Sequence, residues 1–335
     1  MFQSEDRLDV IRPNSLSGVS SPTLVRDVTQ PGIPNELVLS TSCYGARLTT
    51  IEDQAFAAVA MGFRRLEFGL SDHPPTMNGW ADSHRETGIR VESIVAGALN
   101  PRSENMSGSK LGSTFSEERE RALNSVRRHI RLAQSMQAPT IVVRGCEVED
   151  KKLAAKAHEL SQELDEVSEL DKPEVCVKIA ALVQKVQKKG QKQIEHFCRS
   201  LHTLQSEFPE TRIAIEPGQH FNDLLNYEAV GWALDDLARH NVGYWHDTGR
   251  IHQREISGLP TQGQWLDSYA DRMLGCHLQD ASAAEAEMPP GMGEVDFKLV
   301  SEYVPQGAAH VVEVNPRHGR AEVLGAVQFL LDLGF

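Results

Sequence analysis

Four residues stand out by type and spacing. Glu216 closes the run Arg-Ile-Ala-Ile, Asp247 closes Val-Gly-Tyr-Trp-His, His277 sits in Met-Leu-Gly-Cys-His-Leu, and Glu313 follows His-Val-Val. They are separated by 31, 30 and 36 residues, each about one strand–helix unit. Short apolar runs of this kind read as β-strands, and strands recurring at that interval bring their ends to one region. Three carboxylates gathered there without a cation would repel and raise one another's pKa. A divalent ion resolves the conflict. Three oxygens and one imidazole suit Mn²⁺ best, with Mg²⁺, Co²⁺ or Zn²⁺ possible. Such an ion activates a carbonyl, and a carboxylate beside it takes the proton from the neighbouring carbon. A single strand carboxylate is more often half of a salt bridge, and a single histidine more often a satisfied core residue. Recurrence in four successive units carries the metal reading.

Those residues need a frame. Candidate strands are 37–43, 64–70, 90–97, 140–146, 212–217, 242–247, 273–279 and 310–315, rich in Val, Ile, Phe and Tyr. Helical patterns lie between them. Ala122, Val126, Ile130 and Ala133 form one stripe, Val230, Leu234 and Leu237 another, and Val323, Val327 and Leu330 a third. Thr49 with Glu52 and Thr114 with Glu117 have capping-box spacing ahead of helices 50–61 and 115–137. Strand and helix alternating eight times predict a (β/α)8 TIM barrel, which sets active residues at the C-terminal ends of its strands. A doubly wound open sheet is the alternative, but its Gly-rich phosphate loop is missing from the sequence.

Two segments exceed a minimal barrel. Residues 1–36, with Pro13, Pro22, Pro31 and Pro34, read as a flexible or surface-wrapping arm ahead of a catalytic domain over 37–335. Residues 147–190 read as a helical insert after strand four, two helices broken at Pro173 and Gly190. Leu153, Ala157, Leu160, Leu164 and Val167 mark the first apolar stripe, and Val175, Ile179, Leu182 and Val186 the second. An insert there rises from the face that carries the four residues, as a lid or as a homodimer arm.

The balance of 34 basic against 47 acidic residues gives a net charge of -13, which argues against a nucleic-acid partner. No run approaches the ~18 apolar residues of a membrane span, and the first residues lack the apolar core of a secretory signal. Cys43, Cys146, Cys176, Cys198 and Cys276 are scattered and odd in number, as expected of reduced thiols in the cytoplasm.

The stretches AIEPG around Glu216, HDTG around Asp247, CHLQD around His277, PPGMGEVDF at 289–297 and VEVNP around Glu313 resemble the xylose-isomerase-like TIM barrels. That group holds sugar isomerases and epimerases, inosose-type dehydratases and apurinic endonucleases. The resemblance spans about 37–335 without the insert. It implies one metal ion on Glu216, Asp247, His277 and Glu313, with the two glutamates also acting as acid/base catalysts on opposite faces of a carbohydrate-like substrate. Departures from the pattern matter. Arg250 stands where many members carry a histidine three residues after the strand-six aspartate. Ala283 stands where many ketose epimerases carry an arginine. The additional ligands of the endonuclease branch are missing, so DNA repair is not expected.

Arg250 has the chemistry to bind a substrate carboxylate or phosphate bidentately; its bland alternative is a salt bridge to Glu255 or Asp280. Arg144 and His220 are further candidates for substrate contact. Glu67 and Glu92 read as buried ion-pair partners, and His246 should point away from the metal. The expected activity is metal-dependent isomerisation or epimerisation of a sugar, sugar acid or related ketone through an enediolate. A dehydratase or lyase on the same metal, and a non-catalytic ligand-binding barrel, are the rivals.

Overall fold

A computed structural model describes residues 33–34, 36–100, 109–168 and 170–335. The expected arm, 1–36, lies outside the described residues except at its end, where Ile33 is already buried in the core. Eight parallel strands close into one barrel in chain order: β1 Leu37–Ser40, β2 Arg65–Phe68, β3 Arg90–Val95, β4 Thr140–Arg144, β5 Arg212–Glu216, β6 Val242–Asp247, β7 Met273–Leu278 and β8 Ala309–Val312. Each matches an expected run but ends up to three residues earlier. The reason is physical: Thr41–Arg47 turns into a 3-10 segment, and Gly145 and Pro217 leave the ladder. Barrel strands are buried on both faces. That is why Ile213, Ala214 and Ile215 form an unbroken apolar run with no exposure at all.

Ten helices lie among the described residues, beginning with α1 Ile51–Met61, α2 Trp80–Thr87 and α3 Ser116–Met136. The cap of α1 is Thr50, whose hydroxyl accepts the Asp53 N–H at 3.1 Å, one residue beyond the expected box. Thr114 caps nothing. Its hydroxyl and backbone N–H both bind Glu149, so a tertiary partner wins over the local one.

After β4 come α4 Lys151–Glu166 and α5 Lys172–Glu207. The expected break at Gly190 does not occur: α5 runs through it, 36 residues in all, and ends only at Glu207. Gly190 is there for space. A Cβ at this position would lie 1.9 Å from Leu224 Cδ2. Pro173 opens the helix, where its missing N–H costs nothing. The two stripes cover each other and the barrel flank, burying Ala157, Leu160, Val175, Ile179, Leu182 and Val186.

The barrel continues with α6 Tyr227–Asp236, α7 Thr248–Glu255, α8 Gln262–Tyr269, α9 Phe297–Tyr303 and α10 Arg320–Asp332. No helix among the described residues is long and apolar enough to cross a membrane. All five cysteines are free thiols.

Candidate active site

Strand register assembles the site. Arg144 on β4 pairs with Glu216 on β5, and Asp247 on β6 pairs with His277 on β7. Leu278 pairs with Val312, which sets Glu313 beside Gln279 one step further along. All four predicted residues therefore meet at the C-terminal end of the barrel, at 0–5% exposure.

His277 is the hub. Its Nδ1 lies 3.0 Å from Glu216 Oε1, 3.4 Å from Glu313 Oε2 and 3.8 Å from Asp247 Oδ2. Its Nε2 lies 2.9 Å from Glu67 Oε1, and Glu67 in turn accepts the Ser93 hydroxyl at 2.8 Å. Burial disfavours a charged ring, but Glu313, Glu67 and Glu216 outweigh it and push the imidazole pKa well above its usual value.

Two guanidinium groups complete the cluster. Arg250 donates to Glu216 Oε1 at 2.8 Å and reaches Asp247 Oδ2 at 3.2 Å. Neither Glu255 nor Asp280 is its partner. Asp280 instead accepts four backbone N–H groups, from Ala281, Gly291, Gly293 and Val295, and so folds the loop after β7. Arg144 grips both oxygens of Glu216 and lies 3.9 Å from Glu313.

The two glutamates thus sit in unlike surroundings. Burial opposes the charge of Glu216, yet Arg144, Arg250 and His277 hold its carboxyl well below the usual carboxylate range. Glu313 has only the Gln279 amide at 3.3 Å and the more distant cations, and burial raises it to about 7.

The donor set suits a divalent cation. Single ligand atoms of Glu216, Asp247 and His277 lie within 4.8 Å of one another, as do those of Glu67, His277 and Glu313. Charge gives a second test. Four carboxylates (Glu67, Glu216, Asp247 and Glu313) face two guanidinium groups, Arg144 and Arg250, so two negative charges remain. One divalent ion beside a neutral imidazole removes them both.

Two members of the cluster escaped the sequence reading. Glu67 was taken for a structural ion-pair partner, although a carboxylate inside an otherwise apolar central strand is itself a signal. Gln279, which donates to Asp247 at 2.8 Å and to Glu313, lies two residues beyond His277 and hence on the same side of the chain. His246 faces away, between the Tyr244 hydroxyl and Gln262. Glu92 forms the expected ion pairs with Arg65 and Arg212 on the barrel. His220 is not in the cluster. It lines a cavity of about 560 Å³ on the same face, walled by α4 and the segments after β5, β6 and β7.

No family model matches the sequence, and no curated protein does. Solved structures do match. Over 89% of this chain and 100% of the other, a 3-keto-D-glucoside 4-epimerase from E. coli superposes with a TM-score of 0.61 at 15% identity. A D-tagatose 3-epimerase-like protein gives 0.60 at 12% identity over 89% and 96%. A zinc-bound IolI protein gives 0.57 at 11% identity over 89% and 95%. The chain has the fold of the xylose-isomerase-like TIM barrels.

Proposed function

We propose that the protein is a divalent-metal-dependent isomerase or epimerase of a carbohydrate-like ketone, with Glu216, Asp247, His277 and Glu313 holding the ion. One observation carries this reading: His277 turns one ring nitrogen toward three carboxylate oxygens and is fixed through the other by Glu67. That is how a metal-ligating histidine is oriented. The structurally similar sugar epimerases and the zinc-bound neighbour support the same class. When bound, the ion polarises a carbonyl and the adjacent hydroxyl, making the intervening C–H more acidic. Mn²⁺ is the preferred ion, with Mg²⁺, Co²⁺ or Zn²⁺ as alternatives.

The residues divide the work by their environments. Glu313, with few cationic partners, takes the proton from carbon. Glu216, held ionised by two arginines, stays a carboxylate through that step. Arg144 and Arg250 face the negative charge that develops on the substrate oxygens, beside buried carboxylates, where fixed charges act strongly. Return of the proton by Glu313 to the neighbouring carbon gives isomerisation; epimerisation needs a proton from solvent, relayed by Glu216 to the opposite face of the same carbon, while Glu313 keeps the proton it took.

The test is proton exchange. Free ketohexoses incubated with the Mn²⁺-loaded protein in D2O should lose their C–H signal by proton NMR. Glu313→Gln, whose amide takes no proton, should slow the loss by about 10²–10⁴-fold. An unchanged rate removes Glu313 from proton transfer. No exchange of either free ketohexoses or ketose-containing disaccharides with the unaltered protein, or loss of water from the sugar, overturns the isomerase reading in favour of its rivals.

A further inference from the structure

The cavity under α4 is not consumed by the carboxylate cluster, and its lining is chemically selective. Gln219, Asn222, Gln253, Ser161 and His220 offer amides, a hydroxyl and an imidazole, groups that both donate and accept hydrogen bonds. Phe221 adds an apolar face. Arg254 is the one Lys or Arg among the lining residues; it is buried, and its Nη1 donates to the carbonyls of Gly218 and His220 at 3.3 and 3.0 Å. Glu147 and Asp165 on the rim would repel an anion. Such a wall suits a neutral ligand bearing many hydroxyls.

Position ties the cavity to the reaction site. Gln219 lies three residues from Glu216, so the two Cα atoms stand within about 11 Å of each other. Arg254 lies one helical turn beyond Arg250 on α7. Ala283 and Ala284 leave the side facing the loop after β7 open. A volume of about 560 Å³ is within the range of small-molecule sites, roughly 300–1,000 Å³.

We infer that this cavity is a distal subsite for a second polyhydroxylated ring, so that the substrate is a glycoside or disaccharide-sized sugar rather than a free monosaccharide. The inference rests on the proposed sugar chemistry of the barrel mouth and adds to it the size of the substrate. The α4 insert supplies one wall, which gives that segment a role in recognition.

Calorimetric titration of the Mn²⁺-loaded full chain with sucrose, maltose and cellobiose, against glucose and fructose, tests it. At least one disaccharide should bind ten times or more tighter than either component. Ala283→Trp, on the rim opposite the insert, and Ser161→Trp, on the insert, should each shrink that advantage to under threefold. Disaccharides that bind no tighter than their components, or an advantage that survives both variants, overturn the subsite. Ketohexose exchange persisting in that case leaves the isomerase reading standing, whereas a protein that neither binds nor exchanges any of these sugars loses both.

Discussion

Glu67 allows the metal reading to be probed without altering a ligand. It touches His277 on the side away from the other carboxylates, and its own position is fixed by Ser93. Glu67→Gln should keep the barrel folded and weaken Mn²⁺ binding by about 10–100-fold, the usual effect of losing a carboxylate behind a ligating histidine. Equal Mn²⁺ affinity by calorimetry would show that His277 is not a ligand through its other nitrogen. A second histidine sets a pH limit. His129 on α3 is buried, and its Nε2 accepts the Gly97 and Leu99 N–H groups at 3.2 and 3.4 Å while Nδ1 donates to the Ser125 carbonyl. Burial lowers its pKa, because protonation would strip both accepted bonds. The folded state therefore binds fewer protons than the unfolded one. The stability of the neutral ring is complete above about pH 6.5, the unfolded value, and is lost as pH falls from there through the lower folded value. His129→Gln should flatten the melting temperature between pH 7 and 5; an unchanged slope would clear His129.

Helices and loops show where local signals mislead. The Ile-Ala-Ile and Val-Val runs were legible as strands because burial on both faces leaves little choice of residue. Gly190 read as a helix break, yet it sits inside α5 because Leu224 packs against the bare backbone, a contact between segments 34 residues apart in number and invisible to any local window. Gly190→Ala distinguishes the two views. A merely flexible glycine would gain about 1 kcal/mol of helix stability on substitution. The Leu224 contact instead predicts overpacking of about 1–3 kcal/mol, hence a net loss in urea unfolding. The sign alone decides. The loop after β7 is organised in the same non-local way: Asp280, which the sequence offered only as an alternative partner for Arg250, collects four N–H groups with one carboxylate.

At the scale of the molecule, the spacing of Glu216, Asp247, His277 and Glu313 was legible because one strand–helix unit repeats around a closed barrel. The partners of Arg250 were not, since only the fold decides which carboxylates face an arginine at the mouth. Those partners give the site a balance between protons and metal. In the metal-free chain His277 lies among Glu67, Glu216 and Glu313 and its pKa is raised, so at neutral pH the ring carries the proton that partly offsets the two unpaired negative charges. A ligating nitrogen cannot keep that proton. Mn²⁺ binding should therefore release at least one proton per ion, from His277, with a further fraction from Glu313, whose carboxyl burial raises to about 7, measured by calorimetry in buffers of different ionisation enthalpy. Below the raised folded pKa of His277, metal affinity should climb roughly tenfold per pH unit and level off once the ring is neutral. At 100 times its dissociation constant, Mn²⁺ should also stabilise the fold by about 2.7 kcal/mol, seen as a raised melting temperature that chelation reverses. His277→Gln should remove the proton release along with most of the affinity. Tight binding with no proton released would place the ion away from His277 and dissolve the charge argument on which the site was built.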